Sequence, residues 1–137
     1  MKIDNSKLDA DGNLKNGLFQ EHFKDGALAS EGEFRAGERT GLWKYYLVNG
    51  QLKAVGHYEA DKMVGPWTWY RENGELMQTG AFVVQGDKEK REGVWKRYHP
   101  NGNPYDEGEY AADKKVGEWR TYDAAGKLLK STKHKSR

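Results

Sequence analysis

The sequence predicts an all-β fold: a single-layer antiparallel β-meander built from about five 24-residue β-hairpin repeats. Three observations carry this. A set of aromatic residues and glycines recurs in register from Gly17 to Leu129. Asn-Gly or Asp-Gly stands at one fixed place in four of the five units, and the residues around it alternate between apolar and polar with a period of two.

The unit is clearest from Gly41 to Val64, GLWKYYLVNGQLKAVGHYEADKMV. Aligned on the first glycine, units start at Gly17, Gly41, Gly65, Gly93 and Gly117, spaced by 24, 24, 28 and 24 residues. The third position holds Phe19, Trp43, Trp67, Trp95 and Trp119, and the sixth holds His22, Tyr46, Tyr70, Tyr98 and Tyr122. The tenth is always glycine, Gly26, Gly50, Gly74, Gly102 and Gly126. A second glycine follows at Gly32, Gly56, Gly80 and Gly108, with an aromatic two residues on at Phe34, Tyr58, Phe82 and Tyr110.

Asn49-Gly50 between short aromatic and β-branched runs is the strongest local hairpin signal, because both central residues of a type I′ turn require positive φ. With that two-residue turn, Val48 pairs with Gln51, Trp43 with Gly56, and Tyr58 with Gly41. Each hairpin then lays two rings across from two glycines, covering backbone that glycine leaves bare. Alternation puts Trp43, Tyr45, Leu47, Leu52, Ala54, Gly56 and Tyr58 on one apolar face. Leu42, Lys44, Tyr46, Val48, Gln51, Lys53, Val55 and His57 take the other. Strands one unit apart lie about 9.5 Å from each other, so Trp43, Trp67, Trp95 and Trp119 are expected to form a ladder.

In chain order, residues 1–16 are expected as a cap segment, with Asp11-Gly12 between Leu8 and Leu14 as a short hairpin covering the first unit. The repeat domain runs from 17 to 129. The four extra residues between Phe82 and Gly93 are expected to lengthen one link into a charged loop, VVQGDKEKRE. In the last unit Thr132 and His134 replace the second glycine and its aromatic, so this unit frays into a basic tail, 130–137, whose removal is expected to cost little.

Composition narrows the function. With 137 residues, 36% hydrophobic and 12% aromatic, the chain suits one domain whose core is made of rings. No apolar run approaches a membrane span, and no apolar stretch follows the opening lysine. The absence of cysteine excludes disulfide and thiolate chemistry and points to a reducing, cytoplasmic setting. A net charge of +2 is too balanced for nucleic acid as the main partner. His22, His57, His99 and His134 fall at different repeat positions, so no metal or cofactor is expected. Glu31 and Glu33 stand about 29 Å from Glu107 and Glu109, six strands away, too far to share one bond. Phosphate-binding loops and nucleophile elbows are absent from the sequence, and the chain is read as non-enzymatic.

The pattern G-x-W-x-x-Y-x-x-N-G-x-L-x-x-x-G-x-Y, carried by Trp43, Tyr46, Gly50, Gly56, Tyr58 and their counterparts such as Gly74 and Gly80, resembles the bacterial variant of the MORN repeat found in the YwqK-like antitoxin family. His22 for tyrosine and Pro104 for leucine depart from it. The resemblance implies an elongated, twisted antiparallel sheet that binds other proteins, and antitoxin activity by capture of a toxin partner. It also implies an alternative, a scaffold or peripheral membrane module that binds acidic lipid head groups. On the residues alone, the contact surface is expected opposite the Trp ladder in units two and three. There Tyr46, Val55, Tyr70, Met77 and Ala81 make an apolar, ring-rich patch between the acidic pairs of units one and four.

Overall fold

The computed structural model describes residues 5–135. After a single 3-10 turn, Asn5–Lys7, the chain forms β1 (Gly17–His22), β2 (Leu28–Arg35), β3 (Glu38–Tyr46), β4 (Leu52–Glu59) and β5 (Lys62–Tyr70). It continues through β6 (Leu76–Gln85), β7 (Lys88–Tyr98), β8 (Pro104–Ala111), β9 (Lys114–Tyr122) and β10 (Leu128–His134). All ten strands pair antiparallel with their sequence neighbours in one sheet, in the order β1 to β10. The expected meander is the observed one.

The turns differ from the expectation in kind. At Asn49-Gly50 the loop has three residues: Leu47 N–H donates to the Gln51 carbonyl at 2.8 Å, and Gly50 N–H donates to the Leu47 carbonyl at 2.9 Å. Only Gly50, at φ 87°, is left-handed, whereas a type I′ turn would require Asn49 to be so as well. Asn49 stays right-handed because its side chain has another task, accepting the Gln51 N–H on Oδ1 at 2.9 Å. The added loop residue is offset by a bulge in β4. Tyr45 pairs with Ala54 and Tyr46 with Leu52, leaving Lys53 unpaired, so Trp43 still meets Gly56 and Gly41 still meets Tyr58. The turns with two left-handed residues lie instead in the links between units, at Ala36-Gly37, Ala60-Asp61 and Ala112-Asp113.

The four extra residues make no loop. Val83, Val84 and Gln85 pair with Lys90, Glu89 and Lys88, so β6 and β7 run to 10 and 11 residues and close on Gly86-Asp87. Both strands are rich in β-branched and long side chains, and the ladder simply continues.

The two glycines of a unit have different reasons. Gly41, Gly65, Gly93 and Gly117 adopt φ of 65–76°, and nothing lies near a Cβ placed there, so backbone conformation rather than a covering ring selects them. Gly32, Gly56, Gly80 and Gly108 are extended, and a Cβ on each would lie 2.0–2.2 Å from a tryptophan ring. That ring belongs to the following unit: Trp43 lies on Gly32, Trp67 on Gly56, Trp95 on Gly80 and Trp119 on Gly108. The expected ring-on-glycine contact is present, but it ties units together rather than closing a hairpin.

A hydrogen bond fixes each ring. Between β4 and β5 the register jumps from Gly56–Trp67 to His57–Val64, which leaves the His57 carbonyl off the ladder. Trp67 Nε1 donates to it at 3.1 Å. Trp43, Trp95 and Trp119 make the same bond to the Glu33, Ala81 and Glu109 carbonyls at 3.0, 3.2 and 3.1 Å. The bulge thus creates an orphan acceptor, and the indole N–H satisfies it. Trp67 is the most enclosed of the four at 2% exposed.

These rings form the core. Phe34, Trp43, Ala54, Tyr58 and Trp67 make one buried cluster, and Trp95, Tyr110 and Trp119 a second, with Trp69 and Phe82 packed against both. Neighbouring rings meet mostly edge to face, as in Tyr58–Trp67 at 5.1 Å and Phe82–Trp95 at 5.2 Å. The cap packs on the first unit at the β2–β3 link, where Leu8 bridges Leu14 and the Lys15 carbonyl accepts the Gly37 N–H at 2.9 Å. Lys15 Nζ sits 4.8 Å over the Phe34 ring. Residues 1–4 of the expected cap lie outside the described residues. The segment expected as a basic tail supplies β10 through His134, while Ser136 and Arg137 lie outside the described residues.

Candidate functional site

The Trp face holds the two ring clusters and, beside the second, a pocket of about 380 Å³ lined by Trp69, Phe82, Trp95, Arg97, Asp106 and Tyr110, while the opposite face holds the expected contact residues. One row of side chains crosses all ten strands there: Gln20, Glu31, Lys44, Val55, Thr68, Thr79, Lys96, Glu107, Arg120 and Ser131, each paired with the next. Its ends alternate in charge, and its middle, Val55–Thr68–Thr79, has none. Cross-strand ion pairs of this exposed kind set a polar border at little energetic gain.

The sixth-position tyrosines lean on this row from the next unit. Tyr46 donates its hydroxyl to Glu31 at 2.9 Å, and Tyr122 does the same to Glu107 at 2.9 Å. The bond from Tyr46 holds the Glu31 carboxyl below its ordinary pKa, while burial, and then that carboxylate, push the Tyr46 hydroxyl up. For Tyr70 and Tyr98 the corresponding residues of the preceding unit are Val55 and Thr79, which offer no carboxylate. Tyr46 is therefore pinned, and Tyr70 is not held in this way.

The expected patch residues fall on this side of the sheet as follows. Val55 stands between Lys44 and Thr68, and Ala81 between Pro66 and Glu92. Tyr70 pairs with Leu76, and Met77 is the unpaired residue of the bulge in β6, since Trp69 pairs with Gln78. All five, Tyr46, Val55, Tyr70, Met77 and Ala81, are half-buried. Glu31 and Glu33 lie on β2, Glu107 and Glu109 on β8, six strands apart.

Sequence reasoning passed over a more exposed feature. The residue after each unit's first glycine is Leu18, Leu42, Pro66, Val94 or Glu118, and Leu18, Leu42 and Val94 are 83%, 47% and 59% exposed. They lie two residues from Gln20, Lys44 and Lys96 of the cross-strand row and are paired with Glu33, His57 and Glu109. The signal was an apolar residue recurring every unit on a face otherwise read as polar. It is strong only when the face assignment is already known.

The Trp face offers chemistry of a different kind. Arg39 Nε meets Asp61 Oδ1 at 2.6 Å while its guanidinium stacks 4.1 Å from the Tyr58 ring, and Arg91, Asp113 and Tyr110 repeat the arrangement at 2.6 and 4.3 Å. Burial acts against the Asp61 carboxylate, but the bonds from Arg39 outweigh it and lower its pKa; the Arg91 bond lowers that of Asp113. These are clamps across links, with every charge paired. Among the described residues no three His, Asp or Glu side chains come together as metal ligands, and no helix is long and apolar enough to cross a membrane.

A family model described as the MORN repeat variant matches residues 39–60, 63–83, 91–112 and 115–135, well over half of the chain. The matched blocks coincide with the inter-unit spacing of rings and glycines described above. No curated protein matches the sequence.

Proposed function

Because the chain belongs to the MORN repeat variant family, whose repeats generally serve as protein- or membrane-binding modules, we propose that it is a non-enzymatic protein-binding module. Its contact surface is the face opposite the tryptophans, centred on units two and three. The observation that carries this is the neutral interval Val55–Thr68–Thr79, flanked by Glu31–Lys44 on one side and Lys96–Glu107 on the other and bordered by exposed Leu42 and Val94. An apolar centre with a charged rim is the composition of a protein contact. The finer reading is that the captured partner is a toxin, which the chain would hold and occlude as a cytoplasmic antitoxin.

Units one and four supply a test that preserves folding, since they carry glutamate where units two and three carry Val55 and Thr79. In Val55→Glu/Thr79→Glu the new carboxylates meet Tyr70 and Tyr98 as Glu31 meets Tyr46. Affinity capture with mass spectrometry identifies the partner of the wild-type chain, and titration calorimetry then compares the variant. Loss of binding with unchanged melting supports the surface. Unchanged binding moves the contact elsewhere, and binding to acidic vesicles that falls with salt replaces a protein partner with a lipid one.

A further inference from the structure

Every internal boundary between units uses one socket: a glycine on the even strand receives the ring of the next odd strand. The sockets are Gly32, Gly56, Gly80 and Gly108, and a Cβ at any of them would stand 2.0–2.2 Å from the incoming ring, closer than real atoms approach. The fifth socket position is Thr132 on β10, paired with Trp119 on its inner side and half-buried. Beyond β10 no further strand pairs among the described residues, and its outer backbone groups form a sheet edge.

We propose that Thr132 is a stop residue, closing the β10 edge to addition of a ring-bearing strand and in particular to β1 of a second copy of this chain. The backbone register of that contact and one charge pair across it favour it. At internal boundaries the residue two before the socket faces the residue two after the ring, as in Ala54–Trp69 and Asp106–Thr121, and the residue one before faces the residue one after, as in Val55–Thr68. Carried to a second copy, this register sets Lys130 against Glu21 and Ser131 against Gln20, with Phe19 over position 132. Lys130 faces Glu21, which within one chain lies 3.9 Å from Lys15, and a ring is in place. The Thr132 side chain stands in the socket, His134 replaces the aromatic that meets the incoming ring at internal boundaries, and Phe19 brings no indole N–H for the orphan carbonyl. A head-to-tail contact of this kind does not close on itself and would build an open filament, and Thr132 is the side chain that blocks its socket. The basic side chains Lys127, Lys130, Lys133 and Lys135 add like-charge repulsion against pairing of two β10 edges.

Sedimentation velocity over a wide concentration range tests this with wild type, Thr132→Gly and Thr132→Ala, folding being checked by circular dichroism. Only Thr132→Gly is expected to grow beyond a single chain as concentration rises, because alanine already carries the obstructing Cβ. Adding Glu21→Lys to Thr132→Gly should abolish the growth by setting lysine against Lys130. Assembly of the wild type through this edge, equal behaviour of the glycine and alanine variants, or growth indifferent to Glu21→Lys would each overturn the proposal. An internal control needs no assembly: Gly108→Thr installs the stop inside the array and should expel Trp119, seen as a red-shifted emission and new proteolytic cleavage after Ala111. Retention of a buried Trp119 in that variant would also refute the socket rule.

Discussion

At the residue scale, the socket glycine and its ring are one interaction held by two residues from different units. Gly56→Ala forces the added methyl into Trp67 and should destabilise the fold by about 2–3 kcal/mol in urea unfolding. Trp67→Ala removes an almost fully enclosed ring and should cost about 3–5 kcal/mol. The pair should be far from additive. With the ring gone, alanine at 56 has nothing to strike, so a double-mutant cycle should show a coupling of about 2 kcal/mol. Additive losses would mean that the glycine is needed for backbone conformation instead. Charge acts at this scale too. Glu31, Asp61 and Asp113 all have pKa values lowered by folding, so their contribution is intact above the unfolded carboxylate pKa, about 4, and is lost as pH falls through the folded value. The urea midpoint should hold steady from neutrality to about pH 5 and decline below, less steeply in Asp61→Asn.

At the element scale, the links hold the strain. Ala60 and Ala112 sit at φ 49° and 47°, a region that suits glycine. Ala60→Gly/Ala112→Gly should therefore raise stability, by under about 1 kcal/mol per site because glycine also loosens the unfolded chain. A drop in melting temperature would show the methyl groups to be packed. The same element shows what could be read in advance. The register Trp43–Gly56 was legible because two shifts cancel: the extra loop residue moves the pairing by one and the unpaired Lys53 moves it back. The turn type was not legible, because Asn-Gly serves both a type I′ turn and a three-residue loop, and what accompanies the three-residue loop is a local side-chain acceptor, Asn49 Oδ1 on the Gln51 N–H and Asp123 Oδ1 on the Lys127 N–H. Asn49 Nδ2 donates to the Glu72 carbonyl of the next unit at 3.2 Å, and Asn101 donates to the Ala124 carbonyl at 2.7 Å. The link after Phe82 was misjudged for a related reason. Its charge suggested solvent exposure, and in a single-layer sheet a paired strand is as exposed as a loop.

At the scale of the whole molecule, stability is a sum over boundaries, each made only with the adjacent unit. The last boundary is where sequence reading went furthest astray, since the basic residues 130–134 complete a strand beside Trp119. Removal of 130–137 should uncover that ring and lower the melting temperature by more than about 5 °C, with the loss confined to the second cluster. A shift within error would mean that β9 holds Trp119 by itself. The side of the sheet that carries Tyr46, Val55, Tyr70, Met77 and Ala81, and the acidic pairs of units one and four beside it, were legible in the sequence, whereas the alternation of Lys44 with Glu31 and of Lys96 with Glu107 was not, because only the cross-strand row sets them side by side.

The bridge between the two clusters is also an optical element. Trp69 lies 5.9 Å from Trp67 and 5.7 Å from Trp95, inclined to them by 27° and 31°, so three indoles form a continuous series across the middle of the sheet. Transition dipoles held this close exchange excitation among themselves, giving a split near-ultraviolet dichroism and an emission that loses its polarisation before the molecule has turned. Both signals report whether the two clusters are still joined. Trp69→Phe should erase them while leaving the far-ultraviolet spectrum in place, which makes the series a built-in gauge for partial unfolding at the centre of the array.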